Sequence, residues 1–335
     1  MLYITTRNDC DTYSADLALS DTLASDGGRY VPFSFPTYDA DAIAVLQNNT
    51  FGQNVANILN LFFSTDLNGW DIDFCIGRNT ARTVQLSNKL IVAEVWHNTA
   101  STFDYVTRSL YAKITNNSKA NKPTEWFSIA TSIAVLFALY GDLRKQDILQ
   151  KGQLIDISIS EDDVTMPVAA LYARKMGLPL GTIIISGSKN RGLWDLVHRG
   201  VAASMGNSAI SDTVERLIHG TLGIDTVQAY LNVAANNIFT LSEEDFPALR
   251  QDLFCIVVSK DRTFQTINSQ YRTRNYLLDL PAAACVAAVQ DYRAKTGENN
   301  LTLVVSEFSP RWFFSEIAEA TGLTETKLTA QINLS

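Results

Sequence analysis

The stretch "DISISEDDVTMPVAALYARKMGLPLGTIIIS", residues 156–186, reads as a buried strand, a tight turn, a helix and a second buried strand. Such a unit implies two parallel strands joined by a crossover helix. Its ligands usually sit at the turn, where free N–H groups at the helix N-terminus attract anions. Here the turn runs Ser160, Glu161, Asp162, Asp163, Val164, with no glycine and three carboxylates. Two like charges about 6 Å apart repel by roughly 3 kcal/mol at an effective dielectric near 20. Three carboxylates satisfy the helix N-terminus themselves and exclude a phosphate from it.

Working outward, residues 301–306 ("LTLVVS") read as another buried strand, beside 154–158 and 182–186. Helical patterns fall near 127–143, 166–176, 212–219, 243–252, 281–295 and 310–321. Helix ends are signed by Ser309-Pro310 and Gly322, by Ser242 before Glu243 and Glu244, and by Asp279 before Pro281. Asp26-Gly27-Gly28 breaks the chain in a turn. Strand–helix alternation predicts an α/β fold whose mostly parallel sheet is flanked by helices. The polar stretch 113–125, "KITNNSKANKPTE", lacks periodicity and predicts an exposed connector between segments 1–112 and 126–335.

The 335 residues are 46% hydrophobic with net charge −8, which speaks against duplex nucleic acid or an acidic lipid surface as a partner. The four cysteines are dispersed, as for free, mostly buried thiols in a reducing compartment. The opening "MLYITTRNDC" has no basic stretch followed by an apolar run, and the apolar stretch 127–139 is shorter than a membrane span. A cytoplasmic protein with a buried core helix is expected. "GSKNRGLW" from Gly187 lacks the Lys-Ser/Thr that completes a P-loop, and no G-x-S-x-G elbow occurs. His97, His198 and His219 lack metal-ligand spacing, and His219 reads as a cation at a helix end.

Several segments in the same order resemble threonine synthases. "MLYITTR…YSADLALSDTLASDGGRYVP" is similar to that family's YxSTR opening and DGGLYVP turn, and "ALYARKMGLPLGTIIIS" to its "YYAKKMGLPIGKLIVAT". "RNYLLDLPAAACVAAVQDYRAKTG" resembles a late segment containing Y-x-L-D-P-H-T-A-V-G, and "LVVSEFSPRWF" resembles "VVLSTAHPAKF". The resemblance implies the tryptophan synthase β-like fold of type II pyridoxal phosphate (PLP) enzymes.

The departures fall where that chemistry occurs. Against the family's "LFHGPTLAFKD", whose lysine carries PLP as an imine, this chain reads "VWHNTASTFDY", with Asp104 at the lysine position. A carboxylate forms no imine. The phosphate loop "PTGNFGN" corresponds to 159–165, which places Ser160, Glu161, Asp162, Asp163 and Val164 in the cofactor cradle. The hydroxyl that meets the pyridine nitrogen corresponds to Glu307, and the histidine of "DPHTA" to Pro281 or Ala282. Only about twenty residues separate Asp104 from "TEWFSIATSIAVLFALYGDL", similar to a family helix that follows the small domain, so most of that domain is expected to be deleted.

The expectation is a threonine synthase-like pseudoenzyme of amino-acid metabolism, with no cofactor, no metal and no catalytic residue. It would act as a binding, regulatory or scaffold protein, with a second copy or another protein as partner. The alternatives are an enzyme using Asp104, Glu161, Asp162, Asp163 and Glu307 as an acidic site, and a divergent PLP-dependent lyase.

Overall fold

In the computed structural model the chain is described over residues 1–77, 81–97, 102–116, 122–161, 165–187, 191–203, 212–233, 237–251 and 253–334. Eleven strands are formed among them: β1 (Leu2–Thr5), β2 (Tyr13–Ser14), β3 (Tyr30–Pro32), β4 (Arg82–Ser87), β5 (Leu90–Glu94), β6 (Ile155–Ser160), β7 (Leu180–Gly187), β8 (Val201–Ala203), β9 (Ile238–Thr240), β10 (Leu253–Val257) and β11 (Thr302–Ser306). Six build the central sheet in the order β10-β7-β6-β11-β5-β4. All neighbours in it are parallel except the β4–β5 hairpin, which leaves β4 as an antiparallel edge.

The inner strands are buried along their length, as expected for a parallel sheet covered on both faces. Side chains alternate across the sheet with period two. Ile91, Ala93, Leu303 and Val305 enter one core, together with the helices Phe51–Phe63 and Glu125–Lys145. Val92, Ile184 and Val304 enter the other, with Lys260–Arg274, Leu280–Thr296 and Phe314–Thr321. Each fully buried aliphatic side chain contributes roughly 1.5–3 kcal/mol. Burial of this sheet from both sides therefore supplies the main driving force for the fold.

The helix Glu125–Lys145 is capped by Thr124, whose hydroxyl accepts from the Phe127 N–H at 3.3 Å. Arg144 and Lys145 close it against the negative end of its dipole. At 21 residues it is longer than the sequence pattern indicated, and by length and composition it could cross a membrane. Yet 89% of its most apolar window is buried within the protein, so it is a core helix. The tight join "KMGLP" is dictated by Gly177, whose φ is +99° and whose absent Cβ would stand 2.2 Å from the Tyr38 carbonyl.

The sheet takes β4 and β5 from segment 1–112 and its other four strands from 126–335, so the two segments share one core. Within 113–125, expected as an exposed connector, the described residues are mixed: Lys113, Asn116 and Lys122 are exposed and others are tied to the core. Lys113 belongs to the helix Phe103–Ile114 and pairs with Asp71 at 2.8 Å. Pro123 and Thr124 are buried, and the Thr124 hydroxyl donates to the Ala18 carbonyl. Only Lys122 is exposed within the described part beyond 116, and 117–121 lie outside the described residues.

Candidate functional site

In open α/β sheets, ligand sites gather at the carboxyl ends of the strands. Here the ends of β5, β6, β7 and β11 stand side by side. Ser160 closes β6 opposite Ser186 of β7, and the Glu161 N–H donates to the Ser186 carbonyl at 2.9 Å. β11 ends at Ser306 and is followed by Glu307, which is buried. The chain before Phe103–Ile114 is tied to that end: the Phe103 N–H donates to the Glu307 carbonyl at 2.9 Å, and Thr102 bridges to Phe308. The positions assigned to the imine, phosphate and ring-nitrogen contacts thus fall along one edge, apart from Asp162, Asp163 and Val164, which lie outside the described residues.

Asp104 differs from the others in its surroundings. It occupies the first turn of its helix, where acid suits the dipole, and its carboxylate pairs with Arg108 one turn on at 2.6 Å. Its side chain is 62% exposed.

Behind this edge lies a buried acidic network. The Asp279 carboxylate caps Leu280–Thr296, accepting the Ala282 N–H at 2.8 Å, and also accepts the Ser306 hydroxyl at 2.5 Å. Trp96 Nε1 donates to Ser306 Oγ at 3.0 Å. Burial pushes Asp279 up to about 7, helped by Glu94 and opposed by its hydrogen bonds. Glu94, buried at the end of β5, accepts the Tyr276 hydroxyl at 2.7 Å and faces Arg82 at 2.8 Å. Burial, and then the Glu94 charge, raise the Tyr276 phenol well above its ordinary value. Among the described residues no three His, Cys, Asp or Glu side chains are grouped as a metal site.

Two expectations need correction or extension. His219 does stand in the last turn of Asp212–Leu222, but burial, Lys175 and Arg216 lower its pKa to about 4, so it is not the cation expected there. A second buried ionic network also went unread. Arg7 grips Glu215 through Nε at 3.1 Å and Nη2 at 2.9 Å, and the Thr6 hydroxyl donates to the same carboxylate. Arg29 and Arg216 both meet Glu125, at 2.6 and 3.3 Å. Arg216 also donates to the Tyr30 carbonyl and lies over the Trp126 ring. The signals were a charged residue opening an apolar helix, Glu125, and a charge inside "LIVAEVW", Glu94.

The fold is the one found in type II PLP enzymes of the threonine synthase kind. The particular relatives are threonine synthases. Residues 2–79 match the family described as Threonine synthase N terminus. The PLP-bound threonine synthase of Brucella melitensis superposes with a TM-score of 0.82 at 18% identity, covering 99% of this chain and 94% of that one. Yeast threonine synthase gives 0.78 at 15% identity, covering 98% and 94%. Threonine synthase-like 1 of Macaca fascicularis is 26% identical over 180 residues, which is 50% of this chain. The human protein of that name is 25% identical over 180 residues. In both cases the matched region spans 24% of the relative's length.

Proposed function

We propose that this chain is a threonine synthase-like pseudoenzyme that binds no PLP, catalyses no lyase reaction, and acts as a binding or regulatory partner in the cytoplasm. The observation that carries the reading is Asp104, a carboxylate paired with Arg108, at the position the resemblance assigns to the imine lysine. Without an amine there, neither an imine with the cofactor nor abstraction of a substrate α-proton by that residue is available. Glu161 and Glu307 add negative charge to the strand ends that would receive a phosphorylated ring. Their placement opposes the dianion electrostatically. The short passage from Asp104 to Glu125 supports loss of most of the small domain, and a second copy of the chain is the simplest cover for the face so exposed.

The test is incubation of the purified protein with PLP, borohydride reduction and intact-mass measurement. No stoichiometric adduct and no visible imine absorbance are expected. A single-site adduct in full yield would overturn the reading. Light scattering that returns only monomer at micromolar concentration would remove the self-association part alone.

A further inference from the structure

On the face of the sheet opposite the amino-terminal region, a cleft of about 780 Å³ opens beside the end of β10. Small-molecule sites typically occupy about 300–1,000 Å³ and combine apolar walls with a few placed polar groups. The walls here are Val257, Phe264, Leu280, Pro281, Phe308 and Phe313. Val257 is 45% exposed, so this apolar lining is open to a ligand.

Two opposite charges border those walls on different helices. Lys260 begins Lys260–Arg274, and its ammonium lies 4.7 Å from the centre of the Phe264 ring. Ser259 caps that helix by accepting the Arg262 N–H at 3.3 Å and Asp261 stands in its first turn, so the positive character of this side comes from Lys260. Glu316 comes from the first turn of Phe314–Thr321 and supplies the negative side. Lys260 also meets Glu319 at 3.3 Å, a contact between exposed side chains that a ligand carboxylate can replace at little cost.

We propose that this cleft binds an α-amino acid with a large apolar side chain. Its carboxylate lies toward Lys260, its ammonium toward Glu316, and its side chain against the apolar walls. A simple carboxylate of the same shape would leave Glu316 facing a second negative charge, and a simple amine would face Lys260. A phosphate ester is disfavoured by Glu316 for the same reason. The inference stands on the cleft and is independent of the reading of Asp104, so either can fail alone.

Titration calorimetry on the full chain tests it, with L-phenylalanine and L-leucine as probes. The controls are 3-phenylpropionate, which lacks the ammonium, and phenethylamine, which lacks the carboxylate. One-to-one binding of an amino acid is expected, with both controls weaker by about tenfold or more, since each forfeits one charge-assisted contact. Glu316→Gln should weaken L-phenylalanine by about tenfold and leave 3-phenylpropionate unchanged or improved. Ala284→Trp, which fills the cleft from its lining, should abolish binding while circular dichroism stays native. No binding of either amino acid at millimolar concentration overturns the proposal. So does equal binding of probes and controls, or a Glu316→Gln protein with unaltered affinity for the amino acid.

Discussion

Two buried ionic networks sit on the same scaffold, and they are balanced differently. On the amino-terminal side, three arginines (Arg7, Arg29 and Arg216) enclose two carboxylates, Glu125 and Glu215. At the carboxyl edge of the sheet, Glu94, Asp279 and Glu307 are all buried, and Arg82 is the cation at Glu94. The first arrangement holds charge that folding has desolvated, and every acid in it meets a guanidinium. In the second, Asp279 is buried with hydroxyl and N–H partners, and burial first, then the Glu94 charge, makes it keep its proton more tightly than a carboxyl in water would. The acids stand at the carboxyl ends of the strands, where open α/β sheets gather ligand sites, whereas the arginine network joins the opening strands to two helices of the core. One is an anchor. The other gathers buried acids at the carboxyl ends of the strands.

The largest expected effect breaks the anchor. Arg216 has a fully buried side chain, pairs with Glu125, donates to the Tyr30 carbonyl and covers Trp126. Arg216→Met keeps much of the apolar volume but leaves Glu125 short of one cation. Stranding a buried partner in this way costs about 3–5 kcal/mol. Urea unfolding should report a loss of that size. A change below about 1 kcal/mol would show that Arg29 alone suffices for Glu125 and that the network is not the anchor described.

The second effect is a contrast in pH dependence between the two regions. Burial by itself raises Glu125, but Arg216 and Arg29 outweigh it and hold the carboxyl below its ordinary value. Its contribution is present above the ordinary carboxylate range and is lost as pH falls through the depressed value. Asp279 runs the other way, from an ordinary 3.8 to about 7. Its contribution is complete below the unfolded value and is lost as pH rises toward 7, by at most about 1.4 kcal/mol per pH unit. Asp279→Asn keeps an oxygen for the Ala282 N–H and removes the ionisation. The variant should lose this slope and gain stability relative to the parent between pH 5 and 8, read from urea midpoints. Parallel pH profiles for the two proteins would rule out Asp279 as the titrating group.

Much of this architecture was legible beforehand because it rests on local patterns. The apolar runs at 154–158, 182–186 and 301–306 announce strands buried on both faces, and Thr302–Ser306, Leu180–Gly187 and Ile155–Ser160 are where they fall. Ser309-Pro310, Asp279-Leu280-Pro281 and Gly322 mark helix ends through short-range chemistry, and those caps are formed. β4 and β5 were harder to place, because the sheet neighbour of β5 is β11, more than two hundred residues away in sequence. Periodicity cannot see such a pairing. For the same reason the networks escaped notice: Arg7 and Glu215 are 208 residues apart, and Glu94 and Tyr276 are 182 apart. The family positions along the strand ends were accessible only through resemblance, and Asp279 had signalled no more than a helix cap.

The smallest expected effect concerns Asp104, the residue on which the functional reading turns. Its partner Arg108 is 51% exposed, and the pair spans one turn of a helix in water. Exposed pairs of this spacing are worth about 0.3–0.5 kcal/mol, and an acid in the first turn adds a similar dipole term. Asp104→Ala should therefore lower stability by less than about 1 kcal/mol. Asp104→Lys reverses the charge beside Arg108 and loses both terms, again without unfolding the protein. Neither substitution supplies a phosphate cradle, because Glu161 still follows β6 and Glu307 still follows β11. The lysine variant should accordingly show no imine absorbance with PLP and no stoichiometric borohydride adduct. If that single change did yield a reducible adduct at residue 104, the acids at the strand ends would be compatible with the cofactor after all. The proposed loss of the cofactor would then reduce to one missing amine.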